Sequence, residues 1–243
     1  AEGLSEAEAL SRIYTGDTPG LLCEDTPGLS RWQQVFARRR SDVAGWTLES
    51  SDRINLMDTV RNAKLTVLAG VTAQPGLFSA EVLSTMAAHD ARPVIMALSN
   101  PTSKCECTAA DVAKGTDGCG MFAAGSPFAD VQWGGRTLVT SQCNNLYIFP
   151  GVGLGALVAK APKVTHGMFL AASRALSALV TPEQEAQGHL LPPMRDLRRV
   201  SRAVATAVAI EARDSGLGRM LGDDEYEQVV ARAQWAPEYA HFR

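Results

Sequence analysis

The amino-acid sequence predicts an α/β fold, a parallel sheet joined to a helical C-terminal extension, and three observations carry that expectation. Up to residue 143, short apolar runs rich in β-branched residues alternate with helical stretches, and their length and composition are those of strands buried on both faces. Beyond residue 143 the pattern is helical throughout. A hydrophobic fraction of 46% over 243 residues is enough for a substantial buried core. The expected division is a sheet domain over 1–143 and a helical extension over 144–243 packed on it.

In chain order, a helix is expected over 5–11, a strand over 12–17 that ends at Asp17, and helices over 30–39 and 52–63. The run 66–71 reads as a strand, 79–89 as a helix, 93–99 as a strand, 109–114 as a helix, and 120–126 and 137–142 as strands. Strand and helix in alternation mean a parallel sheet, because each helix returns the chain to start the next strand in the same direction. The remainder supplies helices over 145–160, 167–180, 193–214 and 224–233. In the third of these, Leu197, Val200, Val204 and Val208 recur at intervals of three and four while Arg198, Arg199, Arg202 and Glu211 take other faces, the stripe of a helix laid on a core. Thr181 followed by Pro182 and Glu183 reads as a helix start, with Gly188 as its stop.

Composition excludes several functional classes. A net charge of -3 and a pI near 5.8, with basic residues clustered at Arg38, Arg39 and Arg40 and at Arg198 and Arg199, leave no basic footprint for nucleic acid. No stretch approaches the roughly 18 consecutive apolar residues that cross a bilayer. The start, Ala1-Glu2-Gly3-Leu4-Ser5-Glu6, is acidic rather than a basic leader, so the expected location is cytoplasmic and away from membranes. Five cysteines, an odd number, read as reduced thiols. Cys105-x-Cys107 with Cys119 lacks the spacing of a zinc knuckle, and His89, His166, His189 and His241 are far apart, so no metal site is expected.

Candidate ligand-binding residues fall at the ends of expected strands, where open parallel sheets bind ligands. Asn100 lies in Leu98-Ser99-Asn100-Pro101-Thr102; Pro101 biases Asn100 to an extended conformation, and the amide offers both a donor and an acceptor to a carboxamide, carboxylate or hydroxyl. Asn144 and Asn145 open the helix that follows the strand ending at Gln142, a position that suits a helix cap and also attracts anions. Gly70-Val71-Thr72-Ala73-Gln74-Pro75-Gly76 leaves another strand end with glycines that permit close backbone approach. Asp17 sits where a dinucleotide fold places the acid that accepts the adenosine ribose hydroxyls, which favours NAD over its phosphorylated counterpart. Gly151, Gly153 and Gly155 lie inside a helical pattern and read as close helix packing rather than a phosphate loop. No Gly-x-Gly-x-x-Gly precedes Asp17, where only 16 residues exist. The expectation is therefore an incomplete Rossmann-like sheet of the dinucleotide-binding type, lacking its first strand and phosphate turn.

Taken together, Ser99-Asn100-Pro101-Thr102-Ser103, Gly125-Ser126-Pro127-Phe128, Gln142-Cys143-Asn144-Asn145 and Ile148-Phe149-Pro150-Gly151-Val152-Gly153-Leu154-Gly155 resemble consecutive motifs of malic enzymes, in order and suitably spaced. Glu2 to Ala9, Gly20-Leu21-Leu22, Gly70 to Gly76 and the tail Trp235-Ala236-Pro237-Glu238-Tyr239 match as well, the tail being similar to the bacterial and mitochondrial NAD-type branch. The resemblance implies oxidative decarboxylation of malate with NAD, a divalent metal and a Tyr/Lys acid-base pair. It makes Asp17 the ribose-binding acid, Gly70, Val71, Thr72, Ala73, Ser99 and Asn144 cofactor neighbours, and Asn100 and Asn145 the amides that contact malate. Thr72 stands where serine is common. The family's catalytic tyrosine and lysine, malate-gripping arginine, acidic metal ligands and glycine-rich turn belong to sequence upstream of Ala1, so by resemblance the chain alone is expected to bind NAD weakly or not at all and to be inactive on malate.

Three readings follow. The first is the NAD-binding portion of a malic-enzyme-like oxidoreductase, completed by an N-terminal half on another polypeptide. The second is a truncated paralogue, a homodimer that reuses Asp17, Asn100, Asn145 and Lys104 for a different reaction on a small or polycyclic acid, a biosynthetic, non-redox one among the options. The third is a non-catalytic dimeric binding module.

Overall fold

The computed structural model describes residues 3–50 and 52–236, and the chain divides into two compact units. The first comprises Ala1–Ser99 with Ser103–Gly120, and the second Asn100–Thr102 with Met121–Arg243. Among the described residues, no helix is long and apolar enough to cross a membrane.

In the first unit, helix α1 (Glu6–Leu10) starts at a reciprocal cap in which Ser5 accepts from the Glu8 amide and Glu8 accepts from the Ser5 amide. The strand expected over 12–17 contracts to β1 (Gly16–Asp17), which is exposed and pairs antiparallel with β2 (Gly20–Leu21) instead of joining a parallel ladder. The reason is local. Gly20 has φ +103, a β-carbon there would run into the Ile54 carbonyl, and the Leu21 amide donates to that same carbonyl at 2.8 Å. Leu21, Cys23, Val43 and Ile54 make a small core roofed by Tyr14, Trp46 and Leu48.

The helix expected over 30–39 ends early as α2 (Arg31–Phe36), followed by the single turn α3 (Arg40–Val43). Arg38 is drawn out of helical conformation by a bridge to Cys23, its amide donating to the Leu22 carbonyl and its carbonyl accepting from the Glu24 amide, each at 2.9 Å. Helix α4 (Leu56–Ala63) likewise begins later than the expected 52, because Asn55 caps it by accepting from the Asp58 amide at 2.7 Å.

Strands β3 (Val67–Gly70) and β4 (Val94–Ala97) form a parallel ladder in register from Val67 opposite Val94 to Gly70 opposite Ala97. Between them α5 (Ala80–His89) buries Val82, Leu83 and Met86, and after them α6 (Ala109–Gly115) buries Ala109, Val112 and Ala113. These elements lie within the ranges the apolar runs predict, Gly115 excepted.

In the second unit, β5 (Met121–Ala124) pairs in parallel with β8 (Thr140–Gln142). The strand expected over 137–142 is two strands. Its first part, β7 (Arg136–Leu138), turns back on β6 (Val131–Trp133) as an antiparallel hairpin. Gly134 and Gly135, both at positive φ (55 and 77), make the two-residue turn that a hairpin favours.

The helical part contains α7 (Phe149–Ala159), α8 (His166–Ser177), α9 (Pro182–Ala186), α10 (Leu197–Asp214) and α11 (Asp223–Ala233). The predicted stripe of α10 is buried as Val200, Val204 and Val208, widened by Ser201, Ala205, Ala209 and Ala212. It centres a core shared with Val152 and Val158 of α7, Met168 and Ala172 of α8, and Tyr226 and Val230 of α11. Removing these apolar side chains from water is the main stabilisation of the unit, roughly 1.5–3 kcal/mol for each large one. The start read at Thr181 and Pro182 is present, with Thr181 accepting from the Gln184 amide at 3.3 Å.

Candidate functional site

In the first unit, the chain leaves β3 at Gly70 and β4 at Ala97, and one side chain ties the two exits together. Glu106 is fully buried. Its Oε1 accepts from the Thr72 amide at 2.7 Å, the Thr72 hydroxyl at 2.8 Å and the Ser99 hydroxyl at 2.5 Å. Ser99 in turn accepts from the Ala73 amide at 2.8 Å, and the Thr72 hydroxyl oxygen accepts from the Gln74 amide at 3.2 Å. Gly70 is required by this packing, since a β-carbon there would stand 2.6 Å from Cζ of Phe78 and 2.8 Å from Glu106. Burial by itself pushes the Glu106 carboxyl up, but the hydrogen bonds from Ser99 and Thr72 outweigh it and hold the group below the ordinary glutamate range.

The sequence-predicted cofactor residues Gly70, Thr72, Ala73 and Ser99 are thus brought together around one carboxylate, with Val71 80% exposed beside them. Ala73 takes a left-handed conformation, φ 55, uncommon for a residue with a β-carbon. Asp17 belongs to the β1/β2 hairpin, where its carboxylate accepts from the Thr18 amide at 2.7 Å and from the Gln33 side chain of α2 at 2.9 Å. It is exposed.

The remaining predicted residues are in the second unit. Asn100, exposed and joined to Pro101 by a cis peptide bond, accepts the Ser126 hydroxyl on Oδ1 at 2.5 Å. That bond defines which end of the amide is the acceptor and which the donor. Asn144 caps a single 3-10 turn over Asn145–Tyr147, accepting from the Leu146 amide at 3.0 Å, and Asn145 is exposed at the turn's start. The Cys143 thiol beside them is pushed up by burial. Tyr147, buried, donates its hydroxyl to the Pro192 carbonyl and closes one side of a cleft of about 230 Å³ lined also by Phe128, Asp130, Gln142, His189 and Met194. Asn100, Asn144 and Asn145 are not among its lining residues.

Sequence reasoning missed Glu106, Ser126 and Gln33. Glu106 carries a signal in hindsight, an acid between two cysteines that are themselves buried, in a stretch following a strand exit. Ser126 falls in the Gly125-Ser126-Pro127-Phe128 motif, yet its link to Asn100 spans 26 positions and has no local signature. Lys104 is exposed at the end of a 3-10 turn. Among the described residues, no three His, Cys, Asp or Glu side chains are placed to hold a metal ion. His241 and the tail residues Pro237, Glu238 and Tyr239 lie outside the described residues, as does Glu2.

Comparison with known proteins matches this arrangement to one family. Residues 1–213 fit the family model described as malic enzyme, NAD binding domain. Over 243 residues the chain is 41% identical to an NAD-dependent malic enzyme of Erwinia tasmaniensis and 44% identical to that of Edwardsiella ictaluri, matching all of this chain and 43% of each relative. The chain therefore spans less than half the length of the curated relatives it matches. Among solved structures, malic enzyme from Pyrococcus horikoshii superposes with a TM-score of 0.66 at 22% identity, covering 88% of this chain and 43% of that one. Entamoeba histolytica malic enzyme gives 0.63 at 22% identity over 91% of this chain and 42% of that one. The structural likeness supports the α/β, Rossmann-like fold, and the sequence match, which covers most of the chain, shows that it belongs to the malic enzyme family as that family's NAD-binding domain.

Proposed function

We propose that this chain is the NAD-binding portion of a malic-enzyme-type oxidoreductase that acts on malate. The observation that carries the reading is the family match over residues 1–213, together with the gathering of Thr72, Ala73 and Ser99 at two parallel strand exits. The acceptors present fit a dinucleotide: Asp17 is an exposed carboxylate suited to a ribose diol, and Val71 and Thr72 are exposed where β3 ends. When bound, NAD supplies a hydride acceptor. Asp17 would hold the adenosine ribose, Gly70 to Ala73 and Ser99 would border the cofactor with Asn144, and Asn100 and Asn145 would orient a small carboxylic acid by neutral amide hydrogen bonds. No described residue of this chain is assigned to a divalent metal.

Isothermal titration of the purified chain with NAD, alone and beside a malic-enzyme N-terminal segment, tests the proposal. Binding that strengthens with the added segment, with metal-dependent NADH formation from malate, is the expected result. No binding and no NADH under either condition would sink it.

A second reading, association with a companion body, is favoured by the uncovered face of α7. Phe149 and Leu157 are each 77% exposed there, two turns apart on one side of an almost wholly apolar helix. A homodimer or a companion N-terminal segment would cover them, in keeping with a cytoplasmic enzyme. Sedimentation of wild type against Phe149→Ser separates a dimer from a monomer.

A further inference from the structure

The turn after β3 is tied down by an anion of the protein's own, the buried Glu106 carboxylate. Here the Thr72 amide donates to Glu106, the Ala73 amide to Ser99 and the Gln74 amide to the Thr72 hydroxyl oxygen. Ala73 is left-handed at φ 55. The Glu106 carboxylate has no hydrogen to give, so the hydroxyls of Thr72 and Ser99 both donate inward to it. The backbone amides of residues 72–74 and the Thr72 hydroxyl are therefore all engaged, with Glu106, with Ser99 or within the turn, while the Gln74 side-chain amide is the donor that stays at the surface. Thr72 is an exposed residue whose hydroxyl, having given its hydrogen to Glu106 and accepted from the Gln74 amide, can offer a further partner only an acceptor lone pair, with a buried negative charge behind it.

We propose that Glu106 is a positioning residue that turns the donors of Thr72 inward and leaves Thr72 an acceptor at the exit of β3, which favours hydrogen-bond donors of a bound dinucleotide there, its ribose hydroxyls or carboxamide amine, over its phosphates. This rests on the reading of the chain as an NAD-binding portion. A phosphate, itself all acceptor at neutral pH, meets lone pairs and like charge at this turn, whereas a hydroxyl or amine meets a partner.

Amide resonances of isotope-labelled chain test both parts. Replacing Glu106 by Gln should accelerate hydrogen exchange at the Thr72 and Ala73 amides by about tenfold or more, because each loses a hydrogen-bond network held by the carboxylate. In wild type, nicotinamide riboside should shift the resonances of residues 72–74 and inorganic phosphate should not. If Glu106→Gln does not fold, Ser99→Ala should accelerate exchange at Ala73 while Thr72 stays protected by Glu106. Unchanged exchange in every folded variant, or wild-type shifts with phosphate, overturns the proposal. Accelerated exchange with no response to the riboside overturns the selection while the brace stands. Failure of wild type to bind NAD at any residue, with exchange still accelerated, sinks instead the NAD-binding reading on which the selection rests.

Discussion

A β-carbon on Gly155 would stand 2.5 Å from the carbonyl oxygen of Ala205, so α7 and α10 meet there backbone against backbone. Gly151 is as close, 2.6 Å from Val204 and 2.9 Å from the Ser201 carbonyl, while the same construction at Gly153 meets nothing within 4 Å. The three glycines are thus not equivalent. Gly155→Ala should lower stability by about 1–3 kcal/mol through overpacking. Gly153→Ala should be neutral or stabilise by roughly 0.5–1 kcal/mol, since alanine restricts the unfolded chain and favours helix. Urea unfolding of both variants checks this, and equal effects would contradict the packing.

Glu106 makes the fold acid-sensitive. Its carboxyl is held below the ordinary range in the folded chain, so its contribution is fully present above the unfolded value and is lost as pH falls through the lower, folded value. Unfolding free energy measured against pH should therefore decline through the acid range in wild type and decline less steeply in Glu106→Gln. At neutral pH, Glu106→Ala should cost about 1–3 kcal/mol, because Thr72 and Ser99 are left without their acceptor.

Asp17 offers a separate handle on the proposed cofactor. The side chain is exposed and its partners are Thr18 and Gln33, so Asp17→Ala should barely change thermal stability. NAD affinity should weaken by about tenfold, near 1.4 kcal/mol. Calorimetric titration of the variant beside wild type reads both, and undiminished NAD binding would remove Asp17 from the site.

The thiols should divide by accessibility. Cys23, Cys105 and Cys107 are buried, and burial pushes each of them up, Cys107 furthest. Cys119 and Cys143 are half-buried. Ellman's reagent should modify no more than those two rapidly in native protein and all five after denaturation. Rapid reaction of a third thiol under native conditions would contradict the burial of Cys23, Cys105 and Cys107.

Features written in adjacent residues were legible before the fold. The helix start read at Thr181 involves a partner three positions away, so a short window contains donor and acceptor together. The apolar runs at β3, β4 and β5 and the stripe of α10 are equally local, since burial of a strand or a helix face imposes its period on the sequence. Hairpin β6/β7 was missed although Gly134-Gly135 marks it, because the run beyond the turn continues without a break into β8.

What the sequence determined by itself is the family, the parallel α/β character and the strand ends at which Thr72, Ala73 and Ser99 lie. Tertiary structure alone decided how those residues are held. Asp17 ends a short exposed hairpin because Gly20 must pass under the Ile54 carbonyl. Thr72 and Ser99 share a carboxylate that lies 34 and 7 positions away in the chain. A buried charge is tolerable only where enough donors converge on it, and convergence is a property of the folded backbone that no window of sequence records.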